Sequence, residues 1–200
     1  MNQPSLETYK ELPLQAFSQV ADWEAWLQES HAQLQGVWLK FAKKGTGATT
    51  ISYEEARNAA IAFGWIDGLT NRFDETYYLI RFTPRRAKSM WSKINRAVVE
   101  SLIAAGKMQP AGLAQVEAAK KDGRWDLAYD SSSTMQVPDD FRQALDAHPA
   151  AAEHFASLKS ANRYAFLYRI QTAKSPEVRA KKIASFIAML EAGESLHPLL

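Results

Sequence analysis

The chain contains no cysteine. That single absence excludes disulfide bonds, thiolate nucleophiles and Cys-ligated zinc. No uninterrupted apolar stretch reaches membrane-spanning length, so no membrane insertion is expected. Histidine is scarce, at four residues. His148 and His154 have no HExxH context, His31 and His197 stand alone, and no metal site is expected. There is no GxSxG nucleophile elbow. Lys43-Lys44-Gly45-Thr46-Gly47 has the wrong order and spacing for a GxxxxGK[ST] phosphate loop and reads as a strand-to-helix connection. The expected cofactor complement is therefore none. Excess charge is also lacking, with a formal net charge of +2, so any basic footprint has to be local. The opening residues MNQPSLETYKELPLQAF carry no basic segment followed by an apolar run, and a cytoplasmic location is expected.

What is present is enough to build a core: 46% of residues are hydrophobic and 11% aromatic, which argues for a folded chain of one large or two smaller domains. Residues 1–16, with Pro4 and Pro13, read as an extended lead-in. Ser18 is placed to cap a helix over 19–29 whose Val20, Trp23 and Leu27 share a face, with Trp26 beside them. Residues 37–43 have strand-like bulk. Ser52 and Glu55 form a capping box. The stripe Ala56, Ala59, Ala60 and Phe63 follows it, and Gly64 suits the left-handed residue that ends such a helix. Trp65-Ile66-Asp67 reads as a short strand ending in a Gly68 turn, and 70–73 as a second that turns at Asp74-Glu75. Residues 76–83 are the strongest strand and stop at Pro84.

Ser92 predicts the cap of a helix over 93–105 with Ile94, Val98, Leu102 and Ala105 inward. Pro110 suits the first turn of a helix to about Asp122 that buries Leu113, Val116 and Ala119. Trp125 is expected to pack back onto the N-terminal part. Asp126 to Val137 is the best linker. Beyond it every segment has helical rhythm: one from Pro138 with Phe141 and Leu145, one over 150–158 with Phe155 and Leu158, and one capped by Ser160. The last starts at Ser175-Pro176, carries Ile183, Phe186, Ile187 and Leu190, and ends at Gly193. The final residues ESLHPLL read as loose. The fold class is α+β, a small mainly antiparallel sheet with packed helices followed by a C-terminal helical bundle, divided as 1–130 and 137–200.

The richest chemistry lies between Phe63 and Arg96. No acidic residue occurs between Glu75 and Glu100, yet Arg81, Arg85, Arg86, Lys88, Lys93 and Arg96 do. Arginine supplies planar, bidentate donors for phosphate or carboxylate. The tryptophans offer faces for a base or a cation, and the Ser92 helix start adds free N–H groups. The candidate ligand-binding set is Trp65, Asp67, Arg81, Arg85, Arg86, Trp91, Ser92 and Lys93. Two readings stay open: an anionic ligand, or arginines paired with Asp67, Asp74, Glu54 and Glu55 on a solvated surface. Asp67 is likewise either a general base or an Asp-Gly turn residue. Tyr164 and Tyr168, with Arg163 and Arg169, mark a helix–helix contact or a second ligand pocket.

The segments WLKFAKKGTG, ISYEEARNAAIAFGWIDG, RFTPRRAKSMWSKINR, MQPAGLAQVEAAKKDGRWDLAYD and SANRYAFLYRIQTAKSPEVRAKKI resemble the YdeI/OmpD-associated, or bacteriocin-protection, family. The resemblance runs from about Leu12 to Pro198. It implies stress tolerance, specifically of bacteriocins or antimicrobial peptides, and an association with an outer-membrane porin. It brings no catalytic residues with it. The expected partners are an anionic small molecule or nucleotide, and a protein partner through the C-terminal helices. A small-molecule enzyme with Asp67 as base and arginines as substrate clamp is the alternative.

Overall fold

The computed structural model describes residues 7–197; Pro4 and the last three residues of the ESLHPLL segment lie outside them. The chain divides into two compact units. The first comprises the residues up to Ser89 together with Ala97–Asp122, and the second Met90–Arg96 together with the residues from Gly123 onward.

The first unit is a five-stranded sheet in the order β1-β2-β3-β5-β4 with helices packed against it. Its strands are β1 (Thr8–Tyr9), β2 (Leu12–Gln15), β3 (Val37–Ala42), β4 (Trp65–Arg72) and β5 (Tyr77–Pro84). All neighbours are antiparallel except β2 and β3, which run parallel. The lead-in is thus part of the sheet: Lys10 and Glu11, both at positive φ, make the tight turn between β1 and β2. Leu14 then pairs with Trp38.

Helices α1 (Val20–Ser30) and α2 (Tyr53–Ala62) cover one face of this sheet. Their side chains Trp23, Leu27, Ala56, Ala59 and Ala60 meet Val37, Leu39, Phe41, Ile80, Phe82 and Trp65 in one buried cluster. The tryptophan N–H groups in this core are satisfied, as buried indoles require. Trp23 Nε1 donates to Ala56 O (3.0 Å) and Trp65 Nε1 to His31 O (3.1 Å). Ser18 does not cap α1; the cap position falls on Gln19, whose side chain makes no capping bond. The Ser52–Glu55 box is present in full: Glu55 N–H donates to Ser52 Oγ (3.2 Å), and Ser52 N–H to Glu55 Oε2 (2.8 Å).

Gly68 makes no turn. β4 runs through it as one strand, and the irregularity there is a register shift against β5 between Asp67 and Thr70. A bulge of this kind accommodates the extra residue by a local kink and leaves the strand intact. The turn expected at Asp74-Glu75 is present, and Asp74 Oδ1 accepts from the N–H groups of Thr76 and Tyr77 (2.7 Å each).

Helix α3 (Lys93–Ala104) has a different inner face from the one expected. Val99 is fully buried, Asn95 is buried and Leu102 partly so, whereas Ile94 is 45% exposed and Ala105 exposed. The division between the units passes through this helix after Arg96. Helix α4 (Pro110–Lys121) buries Gly112 in place of Leu113. A Cβ on Gly112 would stand 2.2 Å from Ala62 O, and Gln109 N–H donates to the same oxygen (3.1 Å). Gly64, at φ +76°, also leaves little room, since a Cβ there would stand 2.9 Å from Ala111 O. Bare backbone at both points lets the end of α2 meet the start of α4.

The second unit contains helices α5 (Asp139–Asp146), α6 (Pro149–Ser157), α7 (Ser160–Gln171) and α8 (Pro176–Glu191). Phe141, Phe155, Phe166, Ile170, Phe186 and Leu190 form its core, where Phe166 and Phe186 pack edge to face at 5.0 Å. Ser175 caps α8 by accepting from Val178 N–H (3.3 Å), with Pro176 at the first turn. Ser160 is not a cap; it is the first residue of α7. Asp140 and Arg179 form a two-pronged ion pair at 2.6 and 2.8 Å. Trp125 packs edge-on against Trp91 at 5.1 Å and lies under the Arg96 guanidinium, all in this unit.

Candidate anion-binding site

The eight candidate residues are split between the two units. Trp65, Asp67, Arg81, Arg85 and Arg86 lie in the first, and Trp91, Ser92 and Lys93 in the second.

In the first unit the motifs FGWIDG and RFTPRR are antiparallel partners. Trp65 stands opposite Pro84, Ile66 opposite Thr83 and Asp67 opposite Phe82. Arg85 N–H extends the pairing by donating to Gly64 O (2.9 Å). The sheet then separates the side chains. Alternation along a strand sends successive residues to opposite faces. Trp65, 1% exposed, goes into the helix-covered core with Ile80 and Phe82. Arg81 goes to the other face, directly opposite Trp38. Trp65 and Arg81 therefore do not share a cleft.

The face that carries Arg81 has a small core of its own, made by Leu14, Trp38 and Leu79 with Tyr9 and Leu12 packed against it. Tyr9 meets Trp38 edge-on at 5.3 Å. Lys40 on this face pairs with Glu7 (2.8 Å) and lies over the Phe73 ring. Two buried donors remain. Trp38 Nε1–H and Arg81 Nε–H have no hydrogen-bond partner among the described residues. The Arg81 side chain passes alongside Gly68, with Nε and Nη2 each 3.9 Å from where a Cβ would sit there. The bare backbone of the bulge lies beside the guanidinium.

The four carboxylates that could have neutralised the arginines are engaged elsewhere. Asp67 Oδ2 accepts from Tyr53 Oη (2.9 Å). Glu54 lies 3.7 Å from Arg57, Glu55 closes the capping box, and Asp74 holds its turn. Asp67 is half-buried on a strand, so the Asp-Gly turn reading is set aside. Burial, with the Asp67 charge and hydrogen bond behind it, pushes the Tyr53 hydroxyl up to about 12. Tyr53 is thus a proton donor to Asp67 at neutral pH, while Arg57 lies over its ring at 5.6 Å. Arg85 is buried, at 6% exposure, and Arg86 is exposed.

In the second unit the other three candidates have structural duties. Trp91 is buried against Trp125. Ser92 Oγ accepts from Asn95 N–H (3.1 Å) and starts α3. Lys93 is paired with Asp130 (2.8 Å), and the hydrogen bond from Lys93 holds that carboxyl below its ordinary value, with a second bond from Gln171. Tyr53 is the residue that sequence reasoning missed. Its exposed position in a capping-box helix gave no hint that it reaches Asp67 across fourteen residues.

No group of three or more metal-ligating side chains occurs among the described residues, and no helix there is long and apolar enough to cross a membrane. Residues 15–115 match the family model described as Domain of unknown function (DUF8412). Residues 134–193 match the model described as Bacteriocin-protection, YdeI or OmpD-Associated. No curated protein and no solved structure matches the chain.

Proposed function

We propose, from the premise that the chain belongs to the DUF8412 family and carries a YdeI or OmpD-associated segment behind it, that its first unit binds a phosphate- or carboxylate-bearing ligand. The observation that carries this reading is the buried Arg81 Nε–H without an acceptor among the described residues. A buried polar group left without a partner costs about 1–3 kcal/mol, and more when charged. An anion that accepts from Arg81 and from the neighbouring Trp38 indole would remove that cost on binding. Arg85 and Arg86 add positive charge just beyond the end of the same strand. We further propose that this binding serves tolerance of bacteriocins or antimicrobial peptides in a cytoplasmic protein; the bacteriocin-protection description of the family model matched by the second segment supports the bacteriocin part of that reading.

A thermal-shift screen of the full chain against nucleotides, sugar phosphates and short oligonucleotides tests it. Stabilisation by one of these classes, lost in Arg81→Ala and weakened in Arg86→Ala, supports the site. Equal stabilisation of wild type and Arg81→Ala overturns it.

A second reading rests on the Tyr53–Asp67 hydrogen bond. A carboxylate oriented by a tyrosine on a half-buried strand is a possible general base. The Tyr53 ionisation then has to depend on Asp67. Absorbance of the phenolate should place Tyr53 among the last tyrosines to ionise, and Asp67→Asn should bring it down. A Tyr53 titration indifferent to Asp67→Asn removes the pair and this reading with it.

A further inference from the structure

We propose that the second unit holds a separate site for a small carboxylic acid with an apolar body. A cavity of ≈ 340 Å³ opens where α6 and α7 meet the segment before α5. This lies at the small end of the range for ligand pockets. Its floor is apolar: Phe155 and Leu167 belong to the buried core, and Met135 and Val137 pack against it. Its rim is polar, with Ser132 and Arg163 prominent.

Arg163 is the reason to expect an anion there. It is exposed and makes no hydrogen bond or ion pair through its side chain among the described residues. No acidic residue occurs between Glu153 and Glu177, whereas Lys159, Arg169 and Lys174 do. The nearby Arg169 is occupied, donating to Ala165 O (2.9 Å). Asp130 does not compete for Arg163, because its carboxylate is already held by Lys93 and Gln171. Tyr164, also lining the cavity, donates its hydroxyl proton to Asp130 O (3.2 Å) and is fixed by it. The hydroxyls of Ser132 and Ser160 are not engaged by other described side chains and stand at the rim as donors.

A guanidinium fork beside an apolar floor selects a flat anion attached to a hydrocarbon. Inorganic phosphate would leave the floor unused, and a neutral amide would leave the guanidinium without a counter-charge. The site does not depend on the arginine face of the first unit.

Isothermal titration calorimetry of the full chain against octanoate and benzoate tests the proposal, with octanamide and inorganic phosphate as controls. At least one acid should bind, octanamide should bind about tenfold more weakly than octanoate, and Arg163→Gln should lose about tenfold in acid affinity. Arg163→Gln should lose the same affinity, about tenfold, in an Arg81→Ala background, which separates this site from the one in the first unit. The proposal is overturned if neither acid binds up to about 10 mM. It is equally overturned if octanamide matches octanoate, or if Arg163→Gln binds the acids as wild type does.

Discussion

Trp38 and Arg81 stand directly opposite each other on β3 and β5, and each keeps a buried N–H donor with no acceptor among the described residues. The core on the helix-covered side leaves no such debt at Trp23 or Trp65, whose indoles both donate to backbone carbonyls. The sheet thus satisfies Trp23 and Trp65 on one face and leaves Trp38 without an acceptor among the described residues, beside an arginine, on the other. Such local violations of good packing are expected where a chain binds something.

Arg81→Leu should therefore separate stability from binding. Replacing a partly buried, unmatched charge by an apolar side chain is often neutral or stabilising. The melting temperature of Arg81→Leu is expected to equal or exceed that of wild type, while anion binding is lost. A clear drop in melting temperature would mean that Arg81 is a structural residue.

Gly112→Ala tests the close approach of α4 to the end of α2. The new methyl would lie 2.2 Å from Ala62 O, a backbone atom that cannot move aside. A loss of about 3 kcal/mol is expected, seen as a fall of roughly 10 °C in melting temperature. Chemical denaturation should show the same loss with an unchanged slope.

Much of this was legible in the sequence wherever a local signal decided the structure. Ser52 and Glu55, Ser175 and Pro176, and Gly64 each satisfy or terminate a helix through groups a few residues away, so spacing was enough. The strongly β-forming 76–83 segment needed no partner to be recognised. Ser18 and Ser160 each miss the cap position by one residue, and the larger failures depended on distant residues. Asp67-Gly68 has turn chemistry, but pairing with β5 holds it in a bulged strand. The β1–β2 hairpin has no alternation, because its residues are ordered by parallel pairing of β2 with β3. Leu113 has the right spacing for the core of α4, but Gly112 takes the inner position because only it fits against Ala62 O. The candidate site divided along the same line. The strand character of 65–67 and 76–83 was legible, but their pairing is a feature of the fold that neither segment states. That it would send Trp65 and Arg81 to opposite faces depended on a register no local pattern states.

The Asp140–Arg179 pair makes stability depend on acid. The hydrogen bond from Arg179 holds the Asp140 carboxyl below its ordinary value of 3.8. A depressed carboxyl contributes stability that is fully present above its unfolded value and is lost as pH falls through the folded one. Wild type should therefore lose melting temperature progressively below about pH 4. Asp140→Asn should start lower at neutral pH and lose less over that acid range. Parallel curves for the two proteins would show that the pair contributes nothing.

The most direct test of the anion-binding claim is calorimetric titration of pyrophosphate and AMP into the full chain, with wild type and Arg81→Ala compared at the same ionic strength. Wild type is expected to bind at least one of the two. Arg81→Ala is expected to lose at least about tenfold in affinity, the size that follows when a charge-assisted hydrogen bond is removed. Wild-type binding that survives unchanged in Arg81→Ala, or no heat from either ligand, would contradict it.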